Sequence, residues 1–271
     1  MKRKRKKPFL MRVALPLLFL LFGLVALQFV YPNVAKLKKH NPKLTAMMEY
    51  REAEWKREGK HYRIMQRWVR YRAVSPYLVK AVLIGEDDKF WRHEGFDYQA
   101  MGKAIEKDIK AKKFRLGGST ITQQLAKNLY LSPSKNPVRK FREAIITWRL
   151  ERALSKRRIL EIYLNTAEWG DKGIFGIEAA AQHYYGKHAS DLGPDEAARL
   201  AAVLPNPRKF NPLGDQKYVV NRSNLIYSIM VRRGIVVPEY EEIEQEKEEV
   251  PPAGQEEAPL TTPIQNMQPS Q

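Results

Sequence analysis

The chain has 271 residues, enough for one or two domains. Hydrophobic residues make up 44 % and charged ones 29 %, and cysteine is absent, which excludes disulfide frameworks, Cys-ligated zinc, thiol nucleophiles and lipoprotein acylation. The formal net charge of +18 asks for a polyanionic partner: nucleic acid, an anionic membrane or a phosphorylated substrate.

Residues 1–12 form a basic tail, with seven Lys or Arg and no acid between positions 2 and 12. Residues 13–31, VALPLLFLLFGLVALQFVY, carry no charge. As a helix rising about 1.5 Å per residue, this run just spans a hydrocarbon core of about 30 Å. Pro16 and Gly23 are tolerable in a membrane helix. By the positive-inside rule the basic flank keeps the N-terminus cytoplasmic, and Lys36, Lys38 and Lys39 beyond the run do not reverse it. A single-pass inner-membrane anchor is therefore expected, with the rest of the chain extracytoplasmic. A cleaved signal peptide is disfavoured by the length of the run and the lack of an A-x-A site, and a buried soluble helix by the basic flank.

Residues 32–72 are expected to be a juxtamembrane helical region and residues 73–236 the main domain. Apolar positions in that domain recur at helical spacing, as in Val79, Val82 and Leu83, in Met101, Ile105 and Ile109, and in Ile159, Leu160, Tyr163 and Leu164. Pro194, Asp195 and Glu196 read as the first turn of a helix through Val203 that Pro205 stops. No stretch alternates like a strand with hairpin turns, so the domain is predicted to be mostly α. Residues 237–271 form an acidic, Pro-rich tail that is predicted to be disordered. The tails carry +7 and −8 and nearly cancel, which leaves +19 on the middle of the chain.

Four stretches carry candidate chemistry. In GEDDKFWRHEGFDY, residues 85–98, the acids Glu86, Asp87 and Asp88 sit beside Phe90 and Trp91. A carboxylate among bulky apolar groups acquires the raised pKa that a general base needs, although an acidic helix end is the commoner meaning of such a segment. In GGSTITQQLAKNLYL, residues 117–131, Thr120 and Gln123 make a capping box, so a helix starts there, with its N-terminus and Lys127 available to an anion. In SKNPVRKFREAIITWRLE, residues 134–151, Lys135, Arg139, Lys140 and Arg142 precede Glu143. On a helix starting near Pro137, Arg139 and Glu143 share one face, either as a solvated ion pair or as a phosphate clamp beside a carboxylate. In residues 155–187 an apolar helix is followed by a loop marked by Gly170, Gly173 and Gly176.

Together and in order, EDxxFxxHxG at 86–95, GGSTITQQLAKN at 117–128, RKxxE at 139–143, KxxILExYLN at 156–165 and LPNP at 204–207 resemble the motifs of glycosyltransferase family 51, the peptidoglycan glycosyltransferases. The AEWGDKGIFGIEAAAQHYYGK stretch is similar to the monofunctional members, and the chain ends too soon after the main domain for a transpeptidase. The resemblance implies a lysozyme-like, mostly α glycosyltransferase domain that polymerises lipid II with inversion at the donor anomeric carbon and release of undecaprenyl pyrophosphate. Carried over residue by residue, it makes Glu86 the general base and Glu143 a second essential acid that orders the basic cluster or the substrate. Lys127, Lys135, Arg139 and Lys140 would stabilise the leaving pyrophosphate. Asp87 and His93 would shape the first motif, and Ser119, Thr120, Gln123 and Gln124 would line the donor site. Lys156 and Asn165 match the fourth motif, with a structural role or a direct contact both open. The resemblance also implies a membrane-embedded region between the first two motifs, for which Phe90, Trp91, Phe96, Phe114 and the run from Lys110 to Arg115 are candidates.

Some members of the family use a divalent cation, Mg or Mn, and no ligand cluster in the sequence identifies one. The expected partners are lipid II, the growing glycan strand, anionic lipids and proteins of cell-wall synthesis or division. Nucleic acid is not among them, given the extracytoplasmic orientation and the absence of a Walker loop or recognition helix. The rival readings are a peptidoglycan lytic enzyme of lysozyme-like fold and, third, a non-enzymatic basic module anchored to the membrane.

Overall fold

Most of the helices begin at a residue that the sequence marks as a cap. The computed structural model of the chain describes residues 14–20, 22–23, 30–110, 118–133 and 136–236. In order these form α1 (Ala46–Arg57), α2 (Pro76–Glu86), α3 (Tyr98–Lys110), α4 (Ile121–Tyr130), α5 (Pro137–Ala153), α6 (Lys156–Thr166), α7 (Ile177–Tyr185), α8 (Pro194–Val203) and α9 (Lys217–Arg232). Short 3₁₀ turns lie at Val34–Lys38, Tyr71–Ala73 and Phe90–Arg92. Thr45, Asn136 and Ser155 cap α1, α5 and α6 by accepting from backbone N–H groups of the first turn. Thr120 and Gln123 close the expected capping box at α4. Pro194 opens α8, and its Glu196 accepts from the N–H of Gly193 at 2.9 Å. Among the described residues no strand forms; there are only isolated bridges, Met65 with Ile174 and Glu168 with Phe175.

Two helix groups meet in one core. In the first, α8 packs against both α2 and α9. Ala197, Ala198, Ala201 and Ala202 of α8 are all buried, and these small side chains let the neighbouring helices approach closely. In the second, α4 packs against α1, α5 and α6. The stripes predicted on α2 and α6 are buried in this core, and Trp169 and Phe90 fill it further. Met101 is half-buried; the side chains of Ile105 and Ile109 lie outside the described residues.

The stretch from 32 to 72 differs from the expected helical region. Only the turn Val34–Lys38, the helix Ala46–Arg57 and the turn Tyr71–Ala73 are helical there, and residues 60–70 run as an irregular strap. Tertiary contacts hold the strap and override local propensity. Buried Asn165 accepts from Val69 N at 2.8 Å and donates to Val69 O at 2.9 Å. Gln66 donates to the Asn165 carbonyl at 2.6 Å. Glycines at positive φ make room for it: a Cβ on Gly173 would lie 2.2 Å from Arg63 O, and one on Gly176 2.7 Å from Asn165 O.

Residues 14–20 and 22–23 of the predicted anchor are helical, and the rest of 13–29 lies outside the described residues. Among the described residues no helix is long and apolar enough to cross a membrane. The tails 1–12 and 237–271 also lie outside them.

Because Asn165 supplies both halves of the bond pair to Val69, Asn165→Ala leaves the partly buried N–H and C=O of Val69 without those partners. The expected loss is about 1–3 kcal/mol of stability, read as a lowered melting temperature of the detergent-solubilised protein, with Glu86 and its neighbours unchanged in sequence.

Candidate active site

The C-terminal end of α2 delivers Glu86 to the rim of a cleft of about 560 Å³. Its carboxylate is held from two sides. Gln124 of α4 donates to Oε2 at 2.8 Å, and Arg222 of α9 donates to Oε1 at 3.2 Å and to the Gly85 carbonyl at 2.7 Å. Gln124 is oriented in turn by the buried Tyr163 hydroxyl, which donates to its Oε1 at 3.0 Å and so turns the amide NH₂ toward Glu86. Burial pushes the Glu86 carboxyl above its ordinary value, and the Gln124 bond, Arg222 and Lys127 offset only part of that effect.

Asp87 ties this helix end to the next motif. Its Oδ1 pairs with His93 Nε2 at 2.8 Å, and its Oδ2 accepts from Ile121 N at 2.9 Å, in the first turn of α4. The Gly95 N–H donates to His93 Nδ1 at 3.1 Å, which places the ring proton on Nε2, facing Asp87. Thr120 donates to the Gly95 carbonyl at 2.7 Å. The motifs at 86–95 and 118–128 are thus one hydrogen-bonded unit.

On α5, Glu143 is 3 % exposed and pairs with both Arg139, at 2.7 Å, and Lys140. Lys140 also donates to Ser119 at 3.4 Å, linking α5 to the loop before α4. The carboxylate is buried and shared between two partly exposed cations, unlike the solvated helical ion pair that spacing alone allows. Lys127 opens into a second cleft of about 240 Å³, lined also by Arg51, Arg208 and Asn206. Gln124 and Pro205 line both clefts. Burial lowers the Lys127 pKa; Glu143 and Glu86 oppose this, while Arg139 and Lys140 add to it.

Some expected site residues are placed differently. Ser119, Thr120 and Gln124 line the larger cleft, but Gln123 turns inward, its Oε1 accepting from Thr120 N at 3.0 Å. Lys156 pairs with Glu151 at 2.8 Å and sits 4.4 Å over the Phe90 ring, so it braces the first motif from behind. Asn165 holds the strap described above and touches neither cleft. Phe90 is 0 % exposed, which corrects its expected membrane contact, because the core takes its ring; Trp91 is exposed and Phe96 half-buried. Lys135, Phe114, Gly117 and the run 111–115 lie outside the described residues.

Arg222 and Tyr163 are absent from the expected site. Tyr163 reads as core from its helical spacing, and its hydroxyl is what makes it more. Arg222 had a usable signal: it interrupts the buried stripe Val219, Ser223, Ile226 on α9, where a cation demands a partner. Among the described residues no group of three or more His, Asp or Glu is placed to hold a metal ion. The Asp87 and Glu86 oxygens are engaged as above, and Asp88 binds Arg233 at 2.9 Å. Asp97, the remaining carboxylate of the larger cleft, accepts from Ala100 N, and among the described residues these acids do not converge on one point as a divalent cation requires.

The mostly helical frame presents Glu86, a carboxylate of raised proton affinity, at the larger cleft, and its amide partner Gln124 lines the second cleft as well, an arrangement suited to acid–base chemistry. Residues 54–231 match the model of the Transglycosylase family. The biosynthetic peptidoglycan transglycosylase of Methylobacillus flagellatus is 45 % identical over 215 residues, 79 % of this chain and 93 % of that protein. The proteins of the same name from Azoarcus sp. and Dechloromonas aromatica are 50 % and 51 % identical, over 67 % and 63 % of this chain and 78 % and 74 % of theirs. The chain belongs to the transglycosylase family, as its motif order implied.

Glu86 gives a pH-dependent stability test. The folded chain keeps this proton to higher pH than the unfolded chain, whose carboxyl has the ordinary value of 4.5. Folded protein binds more protons in that window, so Glu86 makes stability fall as pH rises through it. Glu86→Gln removes the penalty. The variant is expected to melt above the parent at neutral pH, with the margin shrinking as the pH approaches the ordinary carboxyl value.

Proposed function

We infer that this chain is a monofunctional peptidoglycan glycosyltransferase of cell-wall synthesis, polymerising lipid II into glycan strands. The observation that carries the reading is Glu86: raised in pKa by burial, lining the larger cleft, and held by Gln124, which lines both clefts.

In this reading Glu86 takes the proton of the acceptor sugar 4-hydroxyl as that oxygen attacks the donor anomeric carbon from the face opposite the leaving group. The attack inverts that carbon, and the bond to the undecaprenyl pyrophosphate breaks. A sugar hydroxyl is a poor nucleophile, so a base poised near working pH is needed. The departing pyrophosphate gains negative charge, which Arg139, Lys140 and Lys127 oppose electrostatically, with Lys135 adjacent in sequence. Glu143 holds Arg139 and Lys140 on one side of the site and leaves proton transfer to Glu86. Arg222 and Gln124 position the base. Residues 13–31 anchor the chain with its N-terminus in the cytoplasm and the catalytic domain, of lysozyme-like build, outside. That geometry keeps the site near lipid-borne substrate and the growing strand.

The lytic alternative shares the single glutamate, but a cluster of cations around Glu143 has no use on a substrate lacking pyrophosphate. Purified lipid II separates the two: the parent is expected to make glycan polymer, and soluble muropeptides released from sacculi would support lysis instead. Glu86→Gln is expected to lose about 10²–10⁴-fold in kcat, and full activity in that variant would reject the assigned base. A parallel assay with a divalent chelator tests the cation.

Arg222 predicts a specific pH signature. Its charge lowers the Glu86 pKa, so Arg222→Ala raises it further and should move the acid limb of the kcat/KM profile to higher pH, with activity partly regained at alkaline pH. Arg222→Lys should restore much of the limb, and an unshifted limb in Arg222→Ala would remove Arg222 from the base's environment.

A further inference from the structure

One face of α5 is built for a surface other than the protein core. Glu143, Ile146, Thr147 and Leu150 turn inward and are buried. On the opposite side, Val138, Phe141, Arg142, Ile145, Trp148, Arg149 and Arg152 fall within an arc of about 120° at the helical repeat. Val138, Phe141 and Trp148 are 63 %, 54 % and 44 % exposed, a large apolar display for one helix of an otherwise well-packed domain. Ile145 on the same face is buried, so the display has two ends rather than one continuous strip. The polar residues of the arc are all arginines, and the Arg152 guanidinium lies 5.0 Å over the Trp148 ring.

The same helix grips the chain where the apolar run 13–31 ends. Arg149 donates to the carbonyls of Val30 and Pro32, each at 2.7 Å. Val30 and Tyr31 are themselves exposed. The described end of the run, at Val30 and Tyr31, thus lies beside Arg149 of α5.

We propose that the outer face of α5 lies on an anionic bilayer, with Phe141, Trp148 and Val138 entering the headgroup region and Arg142 and Arg152 facing lipid phosphates, while Arg149 holds the chain at Val30 and Pro32. Aromatic and aliphatic side chains ringed by arginine suit this interface, where apolar bodies sink and cations stay among the headgroups. The contact fixes the tilt of the domain relative to the membrane, which a single anchor does not. It also turns α5 into a two-sided element, with the Glu143 cluster on its inner face and lipid on its outer one. The inference rests on the proposed anchor only for where the face begins.

The cysteine-free chain makes the test direct, since any introduced cysteine is the sole labelling site. Phe141→Cys, Leu17→Cys and Leu213→Cys are spin-labelled separately in the full chain and reconstituted into phosphatidylglycerol–phosphatidylcholine vesicles. Leu213 is 55 % exposed and serves as the matched position away from α5. Accessibility to oxygen, which concentrates in lipid, is compared with accessibility to a water-soluble nickel chelate. The label at 141 is expected to favour oxygen several-fold over the label at 213, and to move outward when phosphatidylglycerol is omitted. Full access of the 141 label to the nickel chelate would overturn the proposal, and protection from both agents would overturn it in favour of a second protein copy. The label at 17 reports the anchor independently: lipid contact at 17 with water at 141 defeats this inference alone, and the reverse defeats the anchor alone.

Discussion

The active-site geometry depends on the carboxylate of Asp87. It is buried, and both of its oxygens are used, one on the His93 ring and one on the first free N–H of α4. A carboxylate at a helix N-terminus satisfies an orphan donor and opposes the helix dipole, so the bond is favoured twice. Its consequence is positional. Asp87 follows Glu86 directly, and Ile121 precedes Gln124 by three residues, so fixing one bond sets the base against the amide that holds it. Lys127, one turn further along α4, is placed by the same constraint. Thr120 on the Gly95 carbonyl closes the loop from the other side. Loss of this latch would leave every residue present and the site unassembled.

The charge surplus of the middle of the chain resolves into separate tasks. Some cations are structural. Arg158 donates to Leu37 O at 2.8 Å and His40 O at 3.1 Å and so ties the segment after the apolar run to α6, while Lys156 braces Phe90. Arg51 grips Glu168 with two bonds of 2.8 Å beside the second cleft. Others gather around Glu143, and a further group lines the outer face of α5. Net charge alone named a polyanion; the placement divides it among the fold itself, the proposed leaving-group site and the proposed bilayer contact.

What could be read in advance follows the range of the forces involved. Caps and helical stripes are local, and Thr120 with Gln123, Asn136 before Pro137, and Pro194 through Val203 all lie where their sequence places them. Glu86, Asp87, Glu143 and the cations were singled out by the order of their motifs, which resembles one family; each segment alone reads as an acidic helix end, a cap or a solvated ion pair. The strap at 60–70 was not, since Asn165, about a hundred residues away in sequence, holds it and no local pattern encodes that bond. Phe90 was misplaced for a related reason: an aromatic beside acids and basic residues reads as interfacial until the core that receives it is known. Arg222 reaches Glu86 from α9, and Tyr163 reaches Gln124 from α6, both by tertiary packing, and a cation interrupting the stripe Val219, Ser223, Ile226 was the one trace that sequence offered.

Two glutamates, Glu86 and Glu143, share one basic field, and the structure treats them in opposite ways. Glu143 receives two cations directly, Arg139 and Lys140, and serves as their shared partner. Glu86 receives a neutral amide at 2.8 Å and only a longer, 3.2 Å contact from a cation. Had Lys127 paired with Glu86 instead, the carboxyl would be held low and too weak to accept a sugar proton, and the lysine would be spent before any pyrophosphate arrived. Gln124 prevents that exchange. It satisfies the carboxylate without neutralising it, and Tyr163 keeps the amide from turning its oxygen toward Glu86. In the proposed reaction, base strength and anion stabilisation need opposite surroundings within one cleft system, and a single oriented glutamine separates them.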